Sequence, residues 1–451
     1  MSRSPVTTHK PRERILVCGA LLADQPSEHE GPLSEARGLV AAAGAEPLGE
    51  GTEPWVQRRR VPDPSTLFGK GKVGEIKDEL VRLEPDAILV DNDLTPAQGR
   101  NLEKIWKKRV IDRSELILDI FATRARSKQA QLQVELAQTE YLRPRLRRMW
   151  THLERTEGAI GTRGPGETQL ETDRRLIDKR LSDLRQRLEE IEERKRRQVR
   201  SRSDKSFTIG LVGYRNAGKS TLLNRLTGAD EFVADMPFAT LDTRTRQWKL
   251  SDGRVVLVSD TVGFLQRLPH HLVASFHATL EEALNVDMLL HVVDAAHPDA
   301  ETHMAAVEGT LGQLTKREAD LLVLNKVDLV EDPIRLHFLR GERDAEAVHV
   351  SAGTGVGLDR LEAVIAKRLD RRSSVVTVRL PLADGKSAAT TRASGVVLGE
   401  TVVGDTELHL SMRVAEHALG NLRRSIDGKG EIDVLEPAVE PFTRDEASTG
   451  A

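Results

Sequence analysis

Apolar positions along the chain change rhythm three times. In residues 11–112, "RILVCGALL" reads as a buried strand, "SEARGLVAAAGA" as a helix leading towards "EPLGEGTEPWVQRR", "VGEIKDELVRLEP" as a helix, and "DAILVDNDL" as a short strand ending in acidic loop residues. Such alternation predicts a parallel sheet. From about Arg113 the helices lengthen. Leu132, Leu136 and Thr139, then Leu146 after a polar Arg143, keep a 4,3 spacing, and Ile177, Leu181, Leu184, Leu188 and Ile191 repeat it. Two such stripes joined by a loop predict an antiparallel helical hairpin over 113–205. Strand and helix alternate again over 206–371. Over 372–440, "VVTVRLPL", "GVVLGETVV" and "TELHLSMRV" read as short strands and "AEHALGNLRR" as a helix, a small α+β unit. The polar residues 1–10 and the last ten or so are expected to be loose.

Length agrees with several units, since single cores stop growing well short of 451 residues. The lone cysteine, Cys18, lies in an apolar run and reads as a buried thiol. No stretch approaches the ~18 apolar residues of a membrane span, so a cytoplasmic chain is expected, and a monomer. The net charge of −3 conceals an asymmetry: residues 121–205 hold 22 Lys and Arg against 14 Asp and Glu, which leaves −11 for the remainder. The hairpin is therefore a basic module suited to a polyanion. At 3% aromatics the chain lacks the stacking platforms that single-stranded nucleic acid favours. Between the hairpin stripes, "LERTEGAIGTRGPGETQLETDRR" carries Gly158, Gly161, Gly164 and Gly166. They follow a helix rather than a strand, which argues against a dinucleotide fingerprint, and Arg155 and Arg163 suit phosphate contacts. Spacing alone equally allows a solvated coiled-coil spacer or dimer arm.

The chemistry is concentrated in 206–371. "TIGLVGYRNAGKSTLLNRL" is a strand, a glycine-bounded loop and a helix matching G-x-x-x-x-G-K-[ST] at Gly213, Gly218, Lys219 and Ser220. Backbone N–H groups of such a loop converge on phosphate oxygens, Lys219 supplies charge to the β- and γ-phosphates, and the Ser220 hydroxyl suits Mg²⁺. "LLVLNKVDLV" delivers Asn325, Lys326 and Asp328 at a strand end. A carboxylate at Asp328 accepts the guanine N1–H and N2–H₂ protons, for which adenine has no counterpart. Asn325 would brace the loop, and the Lys326 stem would cover the base. The backbone of Ser351, Ala352 and Gly353 would meet the guanine carbonyl. Thr240, in "FATLDTRTR", offers a second hydroxyl to Mg²⁺ when the γ-phosphate is present. In "LVSDTVGF", Asp260 would hold a Mg²⁺-bound water and the Gly263 N–H would approach the γ-phosphate. Lys219, Thr240 and Gly263 are thus the expected catalytic groups, and GTP the expected substrate.

The ordered set "GYRNAGKS", "FATLD", "DTVGF", "NKVD" and "SAG" resembles the translation-factor-related GTPases. "FGKGKVGEI", "DNDLTPAQGRNLE", "VIDRSELILDIFATRARSKQAQLQVELAQTEYLRPRL", "GTRGPGETQLETDRRLI" and "LPHHLVASFHATLEEAL" narrow the resemblance to the HflX family of ribosome-associated GTPases. The resemblance implies an α/β P-loop GTPase domain, preceded by an α/β subdomain and a helical hairpin and followed by a small α+β domain. It implies Mg²⁺ on Ser220 and Thr240. It also implies GTP lined by Gly213, Tyr214, Arg215, Asn216, Ala217, Gly218, Lys219, Ser220 and Thr221, by Phe238, Ala239, Thr240, Leu241 and Asp242, by Asp260, Thr261, Val262 and Gly263, by Asn325, Lys326, Val327 and Asp328, and by Ser351, Ala352 and Gly353. For partners it implies the large (50S) ribosomal subunit, its rRNA near the peptidyl-transferase region and intact ribosomes, with a role in splitting or rescuing stalled ribosomes under stress.

Two further readings stay open on sequence alone: an assembly GTPase acting on immature subunits, and an rRNA-binding module with incidental hydrolysis. The "FGKGK" stretch lacks the full phosphate-loop pattern, so a second nucleotide in the N-terminal unit is not expected. Gln266 stands where many relatives carry a basic residue. Phe264 follows "DTVG", where Ras-like GTPases commonly carry a water-orienting glutamine. An apolar ring cannot orient water, so slow intrinsic hydrolysis completed by a partner is expected, with simple packing as the alternative role for that ring.

Overall fold

The computed structural model describes residues 12–22, 31–49, 54–149, 165–203, 207–229, 244–260, 284–315, 317–341 and 346–439. The N-terminal unit runs β1 (Arg14–Leu22), α1 (Ser34–Ala42), β2 (Glu46–Leu48), β3 (Val56–Arg59), α2 (Lys70–Leu83), β4 (Ala87–Val90), α3 (Pro96–Trp106), β5 (Arg109–Asp112) and α4 (Arg113–Arg124). Its sheet is parallel with order β2-β1-β4-β5, as the alternation predicts. β3 pairs with the far half of β1, from Gly19 to Leu22, while β2 pairs with its beginning. Local signals start the helices: Thr95 and Gln98 form a reciprocal capping box with Pro96 behind it, and Asp112 accepts from the Glu115 N–H at 2.8 Å. Cys18 is buried against the Leu89 carbonyl, and burial pushes its thiol up, first by desolvation and then through Asp91.

The long-helix unit begins later than the change of rhythm at Arg113 implies. Leu116, Ile117, Leu118, Ile120 and Phe121 of α4 lie in the N-terminal core, which also takes Ala130, Val134, Ala137 and Tyr141 from α5 (Lys128–Met149). A continuous apolar face hides this boundary, because a helix packed on a sheet and a helix packed on a helix share one period. The hairpin is α5 against α6 (Pro165–Ser203), with Leu132, Leu136, Leu181, Leu184 and Leu188 forming its seam and Ile177 and Ile191 flanking it. Thr139 instead returns its hydroxyl to the Glu135 carbonyl. Exposed ion pairs Arg180–Glu135, Arg185–Glu140 and Arg143–Asp178 cross the hairpin. The Leu146 side chain and the tip holding Arg155, Gly158, Gly161, Arg163 and Gly164 lie outside the described residues.

The third unit runs β6 (Phe207–Val212), α7 (Lys219–Thr227), β7 (Arg244–Lys249), β8 (Val255–Asp260), β9 (Met288–Asp294), α8 (Ala300–Leu314), β10 (Leu321–Asn325), a 3₁₀ turn (Val327–Leu329), α9 (Ile334–Arg340), β11 (Glu346–His349) and α10 (Leu358–Arg371). The sheet order is β11-β10-β9-β6-β8-β7, parallel except for β7. β6 pairs with β8 on one side and β9 on the other, so strand order reverses there. In open α/β sheets that reversal opens the ligand crevice at the carboxyl strand ends. Val212, Tyr214, Leu289, Val307, Leu311 and Leu314, on one flank of this unit, join the core of the N-terminal unit, while Ile209, Leu211, Val256, Val323 and Leu361 build a separate core and Met304, Leu322 and Leu324 a smaller one.

The last unit runs β12 (Ser373–Pro381), α11 (Gly385–Ala393), β13 (Val396–Val403), β14 (Glu407–Ala415), α12 (Glu416–Ile426) and β15 (Glu431–Glu436). Order β13-β14-β12-β15 with antiparallel pairing and a βαββαβ chain course makes a ferredoxin-like fold. Strict alternation sends Val376, Val378, Leu380, Leu408, Leu410, Met412 and Val414 to one face, under Ala388 of α11 and Leu422 and Ile426 of α12. Sequence reading finds three of these strands and one helix. It misses α11, whose Ser- and Thr-rich composition carries little helical signal, and the polar edge strand β15.

Candidate functional site

Four strands of the third unit end on one edge of its sheet, and each delivers a residue expected to bind nucleotide. β6 leads into the loop from Gly213 to Gly218. Gly213 has φ +157 and passes so close to β9 that a Cβ would lie 2.2 Å from the Val292 carbonyl oxygen. Gly218, at φ +87, would place a Cβ 2.3 Å from Asn325 Nδ2. Only glycine fits either position. Asn216 is left-handed as well, at φ 57. The loop is therefore wound into a concave backbone nest of the kind that takes phosphate.

Lys219 begins α7 behind this nest. Its Nζ donates to the carbonyls of Gly213 at 2.9 Å and Tyr214 at 2.8 Å, which fixes the ammonium at the loop mouth. Burial lowers its pKa to about 8, partly offset by the Asp260 carboxylate. Ser220, next on α7, donates its hydroxyl to Asp260 Oδ2 at 2.5 Å, joining the loop to the end of β8. A hydroxyl and a buried carboxylate held this close are hard oxygen donors of the kind Mg²⁺ takes beside a phosphate. The donor set therefore fits the expected cation.

Asn325 ends β10, fully buried. Its Nδ2 donates to the Ala217 carbonyl at 2.8 Å, and its Oδ1 accepts from the Ala352 N–H at 2.9 Å. One side chain thus ties the phosphate loop to both base-recognition loops, the bracing role its position predicts. Ser351 accepts on its hydroxyl from the Thr354 N–H at 3.1 Å and on its carbonyl from Gly355 at 2.7 Å, which rounds off the loop containing Gly353. Asp328 sits in the 3₁₀ turn with its residue exposed, open to a base. Lys326, left-handed at φ 60, sends its ammonium to Asp294 at 2.7 Å, a partner at the end of β9 that the strand-end pattern does not signal.

Phe238, Ala239, Thr240, Leu241 and Asp242 lie outside the described residues, as do Thr261, Val262, Gly263, Phe264 and Gln266. The described groups brought to one edge are those of the phosphate loop, Asp260, Asn325 to Asp328 and Ser351 to Gly353. Beside the loop, Tyr214 to Ala217 line a cavity of about 180 Å³ with His291, Asp294, His297, His303 and Met304. The His303 ring lies flat on Tyr214, centroids 3.8 Å apart, and burial lowers its pKa to about 4, with His297 adding to the shift. Sequence reading misses these histidines and misses Glu35 of α1, whose carboxylate accepts from the Tyr214 hydroxyl at 2.5 Å.

Comparison with known proteins agrees with this geometry. Residues 208–326 match the model of the 50S ribosome-binding GTPase family, residues 30–122 that of the GTP-binding GTPase N-terminal region, and residues 124–202 that of the GTP-binding GTPase middle region. The chain is 45% identical over 361 residues to GTPase HflX of Escherichia coli strain K12, covering 78% of this chain and 83% of that protein. It is 43% identical over 372 residues to GTPase HflX of Magnetococcus marinus, covering 81% and 85%. Among solved structures it is similar to a GTP-binding protein from Sulfolobus solfataricus in complex with GDP, at 22% identity and a TM-score of 0.41 over 78% of this chain and 97% of that one. With a complete P-loop, Asn325, Lys326 and Asp328 at the end of β10 and more than two thirds of its length shared with these relatives, the chain belongs to the HflX family and is a GTPase.

Proposed function

We propose that this GTPase binds the large (50S) ribosomal subunit and splits or rescues stalled ribosomes under stress, acting as a monomer in the cytoplasm. The observation that carries the reading is physical continuity: Tyr214 of the phosphate loop packs into the core of the N-terminal unit, and α5 of the basic hairpin is rooted in that same core. The family model matched by residues 208–326 is described as a 50S ribosome-binding GTPase, which supports the choice of partner. In this reading the four units divide along the chain at 11–112, 113–205, 206–371 and 372–440, with α4, the first helix of the second span, packed into the core of the first. The hairpin tip reaches rRNA through Arg155 and Arg163.

Mg²⁺ held by Ser220 and Thr240 would neutralise charge developing on the β- and γ-phosphate oxygens. Lys219 would hold the same oxygens from the loop side, and Asp260, which orients the Ser220 hydroxyl, would hold a water beside the cation. Asp328 reads the guanine edge, and the Gly263 N–H meets the γ-phosphate. GTP engages Thr240 and Gly263, the engaged form grips the subunit, and hydrolysis releases it. Because Phe264 has no group to align water, the subunit completes the catalytic centre. Single-turnover GTP hydrolysis with and without 50S subunits tests this, and equal rates would remove the ribosome from the mechanism. Splitting assayed with GTP against a non-hydrolysable analogue separates binding-driven dissociation from a hydrolysis-driven stroke.

A further inference from the structure

A buried charge network joins the N-terminal unit to the phosphate loop, and the nucleotide chemistry described above does not use it. Glu35, near the start of α1, is 3% exposed. Its two oxygens face different partners. Oε2 accepts from Arg113 Nη2, at the start of α4, and Arg113 Nη1 donates to Asp91 at 2.5 Å, past the end of β4. Oε1 accepts from the Tyr214 hydroxyl at 2.5 Å and lies 3.3 Å from Arg215 Nε. The two carboxylates and two guanidiniums balance, as buried charges must if they are to stay ionised. Burial pushes the Glu35 carboxyl up, but Arg113, Arg215 and the Tyr214 hydroxyl outweigh it and hold the group below the ordinary carboxylate range.

The grip falls on the two residues that follow Gly213. Tyr214 is immobilised on three sides: its hydroxyl by Glu35, its ring by the stack on His303, and its carbonyl by the Lys219 ammonium at 2.8 Å. One turn beyond Glu35, α1 presents Gly38 to Arg215, whose Nη1 lies 3.4 Å from where a Cβ would stand. A Cβ there would meet the guanidinium at ordinary van der Waals distance. Any shift of Tyr214 moves the carbonyl that holds Lys219, and with it the charge meant for the phosphates. Ordering a loop in advance of its ligand raises affinity, because the ligand no longer bears the ordering cost.

We propose that Glu35 is a positioning residue of the phosphate site: from the N-terminal unit it holds Tyr214 and Arg215 so that the loop from Gly213 to Gly218 stands ready for a guanine nucleotide. The N-terminal unit thereby sets nucleotide affinity, whether or not the ribosome is the partner.

The test uses the full chain and fluorescent mant-GDP, with dissociation followed by stopped flow. Tyr214→Phe removes only the hydroxyl and keeps the ring on His303. Glu35→Asp keeps the charge beside Arg113 and withdraws the carboxylate from Tyr214. Each is expected to raise the dissociation rate about five- to twentyfold, the scale of one charge-assisted hydrogen bond. The double variant is expected to be no faster than the faster single, because both remove one contact. In steady-state GTP hydrolysis the loss should appear in KM more than in kcat. Dissociation rates within twofold of the parent, with only the thermal midpoint lowered, would reduce the network to interdomain packing and overturn the proposal. Independent, multiplying effects of the two substitutions would overturn it as well. If Glu35→Asp fails to fold, Tyr214→Phe alone decides, since a parent-like rate there removes the contact from nucleotide binding.

Discussion

Asn325→Ala removes a side chain that joins the phosphate loop to the loop of Ser351, Ala352 and Gly353. Truncation deletes the bond to the Ala217 carbonyl at 2.8 Å and the bond from the Ala352 N–H at 2.9 Å, and leaves both backbone groups without that partner. A buried polar group stripped of its partner costs about 1–3 kcal/mol, so the pair totals about 2–6 kcal/mol. Nucleotide binding needs both loops in place, and at about 1.4 kcal/mol per tenfold the loss corresponds to a Kd raised at least about 30-fold. Equilibrium titration with mant-GDP measures it, and urea unfolding of the same samples reports how much of the loss is global stability. Asn325→Asp sharpens the comparison. It keeps an acceptor for Ala352 but turns a carboxylate towards the Ala217 carbonyl, so it is expected to bind no better than the Ala variant. An Ala variant within threefold of the parent would refute the bracing argument, as would a parent-like Asp variant.

Three further outcomes are expected. Gly218→Ala combines left-handed strain of about 1–2 kcal/mol with a clash against Asn325, and should weaken mant-GDP binding at least about tenfold. In the hairpin, Leu184→Ala empties a fully buried seam position and should lower unfolding free energy by about 2–5 kcal/mol, whereas Arg185→Ala breaks only an exposed ion pair and should cost under about 1 kcal/mol in urea titrations. Asp112 has its pKa raised to about 6, because burial outweighs the Glu115 N–H and Arg145. The folded chain thus holds this proton more firmly than the unfolded one. The carboxyl's contribution is full below pH 4 and is lost as pH rises through 6, by up to about 3 kcal/mol. The stability of Asp112→Asn relative to the parent should therefore climb between pH 4 and 7 in urea titrations, and a flat difference would contradict the assignment.

Features with a local signature were legible in the sequence. The phosphate loop, the strand ending in Asn325 and the Leu181, Leu184 and Leu188 seam all follow from spacing within some twenty residues, and the structure places them as read. The role of Asn325 as a brace was legible because a buried amide at a strand end must find partners. What escaped is non-local. Glu35 and Tyr214 stand 179 positions apart, and no periodicity marks a carboxylate destined for a tyrosine hydroxyl in another unit. Lys326 illustrates the same limit, since its ammonium answers to Asp294, on a strand that pairs with its own only in the folded sheet. The membership of α4 in the first core was hidden for the opposite reason, because its apolar face suits either neighbour equally well.

The shared apolar interior of the first and third units bears on how the molecule comes apart. Although the third unit also has cores of its own, the two bodies cannot melt separately without exposing Val212, Leu289, Val307 and Leu311 of their shared cluster to water. The C-terminal unit has a core of its own. Calorimetry should therefore show the first and third units disappearing in one transition and the ferredoxin-like unit apart from them. A fragment beginning at residue 206 would carry a freshly exposed oily flank, and its solubility and turnover would describe a different molecule from the intact chain.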